Sequence, residues 1–304
     1  MLVRVAAALF ALGTPALASA LSLADYQLTG TFALPAVAAS EASAVTYNWD
    51  TGTLFVLGDE GLALVEVDAN GNQLSSMQLT GFVDTEGLAY VGGGQFVITE
   101  ERERDAYRLS YSAGGSAARS TLASADLGTT IGNIGIEGIA FDARDGSFVL
   151  VKEKTPQEVT LANITFGTPG SATLTGLGVP SPAVLDLSDV SVLSGVTALA
   201  GTAGADDLLV YSQESRVLLQ VTRTGTVLSS FDFSALSLNA EGVTILPDGT
   251  IYVVAETSTE LGSVSTMFRL SAVPEPSTAA LLLAASVASL AMRARGREAA
   301  QRGA

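Results

Sequence analysis

One pattern recurs along the middle of this chain: a Glu-Gly step, an apolar strand, a Gly-containing turn, a second apolar strand, then an acidic residue. It reads Glu86-Gly-Leu-Ala-Tyr90, Gly92-Gly-Gly94, Phe96-Val-Ile98 and Glu100. It returns as Glu137-Gly-Ile-Ala-Phe141, Asp145-Gly146, Phe148-Val-Leu-Val151 and Glu153, and again as Glu241-Gly-Val-Thr-Ile245, Asp248-Gly249, Ile251-Tyr-Val-Val254 and Glu256. A variant begins at Glu41 and runs through Tyr47, Asp50-Thr-Gly52 and Leu54-Phe-Val-Leu57 to Asp59-Glu60. The weakest copy begins at Leu193-Ser-Gly-Val-Thr197 and runs through Leu208-Leu-Val-Tyr211 to Glu214. A fixed period of this size marks a repeat architecture and is sought before any single motif.

The outer halves of two copies align as well. Leu64-Val-Glu-Val67, Asn70-Gly71 and Leu74-Ser-Ser76 match Leu218-Leu-Gln-Val221, Thr224-Gly225 and Leu228-Ser-Ser230 at one constant offset. Alternating apolar residues between Asn-Gly or Asp-Gly turns read as hairpins. Each unit therefore holds about four short strands, and four-stranded units of roughly fifty residues are propeller blades. The expected fold is all-β, a five-bladed β-propeller over residues 21–272. A β-sandwich is the alternative, but it would not repeat the Glu-Gly step in register. Thr155–Leu187, rich in Gly, Pro, Ser and Thr, is expected to hold the outer strands of the third unit and a long connection.

In a propeller the first strand of each blade lines the channel, so a residue repeated at its start recurs around one axis. Glu41, Glu86, Glu137 and Glu241 are therefore expected to converge near one mouth, with Ser194 in the fifth place and Asp189 just before it. Converging carboxylates raise one another's pKa unless a cation sits among them. Calcium, which takes six to eight oxygen ligands, is the natural candidate. The other reading is that each Glu accepts backbone hydrogen bonds from the next blade and staples the ring. The second acidic set (Glu60, Glu100, Glu153, Glu214 and Glu256) reads as loop surface, the alternative being that it joins the site, and Glu100-Glu-Arg-Glu-Arg104 reads as a charge-balanced solvent face.

Charge and composition narrow the function. Thirty-one acidic residues face 15 basic ones, a formal net charge of −16. Such a surface repels nucleic acid, whose phosphates need a basic face. No histidine and no cysteine are present, which excludes a Ser-His-Asp triad, a histidine base, disulfides and the usual zinc sites.

Both ends carry export patterns. Arg4, an apolar run from Val5 to Leu17 and the small residues of Ala18-Ser-Ala20 form a secretory signal over residues 1–20. At the other end Val273-Pro-Glu-Pro276 leads into Ser277–Met292, which lacks charge, and then into Arg293-Ala-Arg295-Gly-Arg297. That apolar stretch is about 24 Å long as a helix, short for a hydrocarbon core of roughly 30 Å. Arginines directly after it would hold that side in the cytoplasm. These three parts of residues 273–304 resemble the PEP-CTERM sorting signal. The resemblance implies a bacterial surface protein, anchored first in the inner membrane with its core in the periplasm, and handled by signal peptidase and an exosortase.

Asp84-Thr-Glu-Gly-Leu-Ala-Tyr90, Ile98-Thr-Glu-Glu-Arg102, Val210-Tyr-Ser-Gln-Glu-Ser-Arg216 and Ala240-Glu-Gly-Val243 with Asp248-Gly249 resemble the SdiA-regulated (YjiK-like) family, distant relatives of NHL-repeat propellers. The resemblance implies a five-bladed propeller with a bound calcium ion and no established reaction. Three functions stay open: a monomeric surface protein that binds a protein or glycan, a calcium-dependent esterase similar to phytase propellers, and a structural matrix protein. A phytase-type site needs clustered Lys/Arg for phosphate, and outside the two ends only ten basic residues remain.

Overall fold

The computed structural model of this protein describes residues 21–273, apart from residues 60, 61, 130, 131, 133 and 237. The expected signal peptide and all but the first residue of the expected sorting segment lie outside the described residues. The strands are β1 (Tyr26–Ala33), β2 (Ala42–Asn48), β3 (Thr53–Gly58), β4 (Ala63–Val67), β5 (Gln73–Thr80), β6 (Thr85–Gly92), β7 (Gln95–Glu100) and β8 (Asp105–Ser110). They continue as β9 (Ser116–Ala118), β10 (Ala123–Asp126), β11 (Ile136–Asp142), β12 (Ser147–Lys152), β13 (Glu158–Thr165) and β14 (Ser171–Gly176). The last are β15 (Asp189–Val192), β16 (Leu208–Ser212), β17 (Val217–Val221), β18 (Val227–Asp232), β19 (Leu238–Ile245), β20 (Ile251–Ser258) and β21 (Val264–Ala272).

They form five sheets, each an antiparallel meander whose first strand lines the channel, so the expected five-bladed propeller is what the chain adopts. Blade 1 is β2 to β5, and β9 joins its outer edge in parallel with β5. Blades 2, 3 and 4 are β6-β7-β8-β10, β11 to β14 and β15 to β18. Blade 5 combines β19, β20 and β21 with β1 on the outside, so the first strand of the chain completes the last sheet. Thr29 and Arg269, 240 residues apart, are hydrogen-bonded across that junction. Because β21 is the third strand of its blade, the chain enters and leaves the ring on the face where the first strands end.

Period-two alternation turns each first strand into three tiers along the channel. Leu88, Ile139 and Val243 follow the Glu-Gly steps, and Val45 and Val190 hold the matching places in blades 1 and 4; all five are buried. Two residues further on stand Tyr47, Tyr90, Phe141, Val192 and Ile245. The aliphatic tier forms an apolar partition across the axis. On one side of it lies an acidic cavity of about 240 Å³, and on the other an apolar one of about 400 Å³.

The glycine of each Glu-Gly step has a steric cause. A Cβ on Gly138 would lie 2.3 Å from Asp189 Oδ1 in the next blade, and one on Gly242 would lie 2.7 Å from the Ser43 carbonyl oxygen. At Gly138 and Gly242 the neighbouring first strand approaches too closely for a side chain.

Candidate functional site

Local backbone geometry aims the glutamates. The pairing of first and second strands shifts by one residue between Thr85 and Gly87, between Ile136 and Gly138, and between Ala240 and Gly242. Glu86, Glu137 and Glu241 are the extra residues of these β-bulges, a device that re-aims a side chain. All three line the acidic cavity, as expected.

Glu41 does not join them. The corresponding shift in blade 1 falls between Ala42 and Ala44, so Ser43 occupies the bulge position and Glu41 lies two residues earlier, exposed and with a positive φ of 50°. In blade 4, Asp189 pairs with Tyr211 where the other blades pair their glycine, so Ser188 takes the Glu position and lines the cavity. Ser194 lines the apolar cavity at the opposite mouth instead. The inner ring therefore reads Ser43, Glu86, Glu137, Ser188, Glu241.

A second ring surrounds it, at the position just past the last regular pair of each second strand: Asp59, Glu101, Glu153, Gln213 and Glu256, all lining the cavity. Of the residues expected at the loop surface, Glu153 and Glu256 thus face the channel, whereas Glu214 is exposed and paired with Lys154 (2.8 Å). Glu60 lies outside the described residues. Nor is the Glu100–Arg104 run a solvent face: Glu100 and Glu101 are only 1% and 2% exposed. Glu100 turns away from the channel onto Arg119 (2.6 Å), while Glu101 accepts the Gly135 N–H (2.8 Å) at the cavity wall. The loop residues Asp84 and Asp186 complete the lining.

Nine carboxylates thus meet a single basic residue of the lining, Arg102, which pairs with Asp84 at 2.9 Å. Carboxylate oxygens of Glu101, Glu137 and Glu153 all lie within 4.8 Å of one another. The electrostatic consequence is large. Burial, then the charges of Glu241 and Asp84, push the Glu86 carboxyl well above its usual range. Burial, then Glu86 and Glu101, do the same to Glu137. Glu241 is raised to about 9 by burial and by Glu256, although Gln213 Nε2 donates a hydrogen bond to it. Burial also raises Glu101 and Glu256.

The alternative role, stapling of blades, falls to a different residue. Asp189, only 3% exposed, accepts the Val243 N–H of blade 5 at 2.7 Å, and burial holds its carboxyl well above the ordinary range. None of the three bulge glutamates makes a hydrogen bond of this kind among the described residues. Their carboxyl oxygens are held at the cavity wall, a donor set of the kind that hard cations take.

Comparison with known proteins agrees with this architecture. Residues 18–259 match the family model described as SdiA-regulated. Among solved structures, glutaminyl cyclase from Myxococcus xanthus superposes with a TM-score of 0.53 at 14% identity, over 82% of this chain and 97% of that chain. Virginiamycin B lyase from Staphylococcus aureus gives a TM-score of 0.42 at 15% identity, over 77% of this chain and 67% of that one. At 14% identity the likeness to glutaminyl cyclase extends to the fold alone.

Proposed function

The chain belongs to the SdiA-regulated family, and from the acidic mouth of its propeller we propose that it is an exported binding protein whose channel holds a calcium ion. The observation that carries this reading is the convergence of nine carboxylates, of which Asp84 is paired with Arg102 and Glu153 with Lys154. The donor set fits the ion: Glu101, Glu137 and Glu153 offer oxygens closely grouped, with Glu86 and Glu241 in reach of the same cavity and no nitrogen or sulfur ligand needed. Glu41, outside the lining, is not one of the holders. Bound calcium would neutralise the carboxylates and offer a polarising centre to hydroxyl or carboxylate groups of a glycan or protein ligand.

Phosphoester hydrolysis is less well supported. A phosphate entering this mouth would meet carboxylates on every side, with Arg102 already committed to Asp84. The export pattern of residues 1–20 and the sorting pattern of 273–304 support processing by signal peptidase and an exosortase, with the propeller working as a monomer outside the cytoplasm.

The test is melting temperature with and without a calcium chelator, alongside metal analysis of the dialysed protein. A ligand at a hundred times its Kd stabilises by about 2.7 kcal/mol, and a domain of this size shifts by roughly 2–4 °C per kcal/mol. Chelation is expected to lower the melting temperature by several degrees, and Glu137→Gln to shrink that difference. Identical melting curves with calcium and with chelator would overturn the metal assignment.

A further inference from the structure

The opposite mouth of the channel is a second pocket with chemistry unrelated to the first. Its floor is the aliphatic partition, including Leu88, Ile139 and Val243, and its walls are Tyr47, Tyr90 and Phe141. At about 400 Å³ it falls within the range of small-molecule sites, which are concave, mostly apolar and furnished with a few polar groups. The polar groups here are hydroxyls, among them Thr46, Ser191 and Thr244.

Trp49 stands over this pocket on the β2–β3 turn. It is 43% exposed, although burying so large an apolar side chain would stabilise the fold by about 2 kcal/mol or more. Its ring meets Tyr90 edge-on at 4.5 Å and lies nearly parallel to Phe141, 16° between planes with centroids 6.5 Å apart. Near-parallel aromatic faces at an open mouth favour a planar partner by stacking. This arrangement is also held in place: the Tyr90 hydroxyl donates to Asp50, and Asp50 accepts the Gly93 N–H at 2.9 Å.

Charge within the pocket lining is cancelled. Arg144 is the only charged residue of the lining, and its guanidinium is paired with Asp142 (2.8 Å) and Asp206 (2.6 Å). Asp142 is further neutralised by Arg223 at 2.8 Å. A charged ligand would lose hydration here without gaining a free counter-charge.

The geometry points to a binding site for an uncharged, planar aromatic small molecule in the channel mouth lined by Trp49, Tyr90 and Phe141. It is separate from the acidic mouth and independent of calcium, since the apolar partition lies between them.

Trp49 is the sole tryptophan of the sequence, so its emission reports this pocket directly. The full chain, in chelator, is titrated with N-phenyl-1-naphthylamine, an uncharged fluorophore that accepts energy from tryptophan. Expected are saturable quenching of Trp49 with one probe per protein and at least about tenfold weaker binding of 1-anilinonaphthalene-8-sulfonate, the same ring system carrying a charge. Ala143→Phe, an exposed lining position, is expected to abolish the saturable quenching while the melting temperature holds. Should Ala143→Phe disturb folding, unlabelled naphthalene is added to the native chain with probe bound; it is expected to displace the probe, and failure to do so would overturn the site. Quenching that does not saturate, that survives in a folded Ala143→Phe, or that is as strong with the sulfonated probe would equally overturn the assignment.

Discussion

Replacing Glu241 by glutamine should stabilise the calcium-free protein, against the usual direction for a buried polar substitution. The reasoning follows from its proton. In the fold its pKa rises from 4.5 to about 9, chiefly through burial and then through Glu256. Between those values the unfolded chain has lost the proton while the folded chain keeps it. Stability contributed by this group is therefore fully present below pH 4.5 and is lost as pH rises toward about 9. Each pH unit in that window corresponds to about 1.4 kcal/mol, so about 4 kcal/mol is the ceiling at a pH near 7.5. Relaxation and water entry lower this, and a gain of about 2–3 kcal/mol, or roughly 4–12 °C, is expected for Glu241→Gln in chelator. The glutamine keeps an oxygen to accept the Gln213 amide hydrogen bond. The assay is circular-dichroism melting of both proteins in chelator from pH 5 to pH 8. Wild type should lose stability with rising pH, and the variant should lose less. With calcium restored the order should reverse, because the variant has one anionic ligand fewer. A chelated variant that melts below wild type near pH 7.5, or two parallel pH profiles, would refute the reasoning.

Two structural predictions stand on single contacts. Gly138→Ala places a methyl 2.3 Å from Asp189 Oδ1 and 2.6 Å from its Cα; prising two inner strands apart should cost about 1–3 kcal/mol, read as a lower denaturant midpoint, and an unchanged midpoint would contradict the close approach. Arg119→Met strands the buried Glu100 carboxylate, whose remaining bond is from the Val83 N–H (3.0 Å), and should cost about 3–5 kcal/mol. Adding Glu100→Gln to that variant should recover a good part of the loss; no recovery would mean that packing, not charge, explains it.

Much of this molecule is legible in its sequence because the strings Glu-Gly-Leu-Ala-Tyr, Glu-Gly-Ile-Ala-Phe and Glu-Gly-Val-Thr-Ile already carry the three tiers of the channel at period two. Blades 1 and 4 are harder to place, since serine replaces glutamate at the start of the first strand. Glu41 and Ser194, the nearest residues that could continue the pattern, lie out of register with it. The second acidic ring is visible as a repeated acid after each second strand, but at Glu100 and Glu214 the repeat points one residue away from the true lining. One residue matters here because successive side chains on an extended strand point to opposite sides. The burial of Glu100 has no local signature at all. Its partner Arg119 arrives through the connection between β8 and β10, and no pattern within Glu100–Arg104 records that contact.

The seam in blade 5 also governs when the molecule can exist. Among the described strands its outer strand is the first to be synthesised and the neighbour it needs is the last, so the ring cannot close before β21 is made. Contacts this distant in sequence form slowly, and a growing chain has time as an open polymer before it becomes a ring. Clipping at either end has a matching consequence. Loss of β1 or of β21 leaves the remaining blade with a bare strand edge, a template for aggregation or attack by proteases. The seam thus ties the closed ring to both strands: a copy with β1 and β21 completes blade 5, and a shortened one leaves it a strand short.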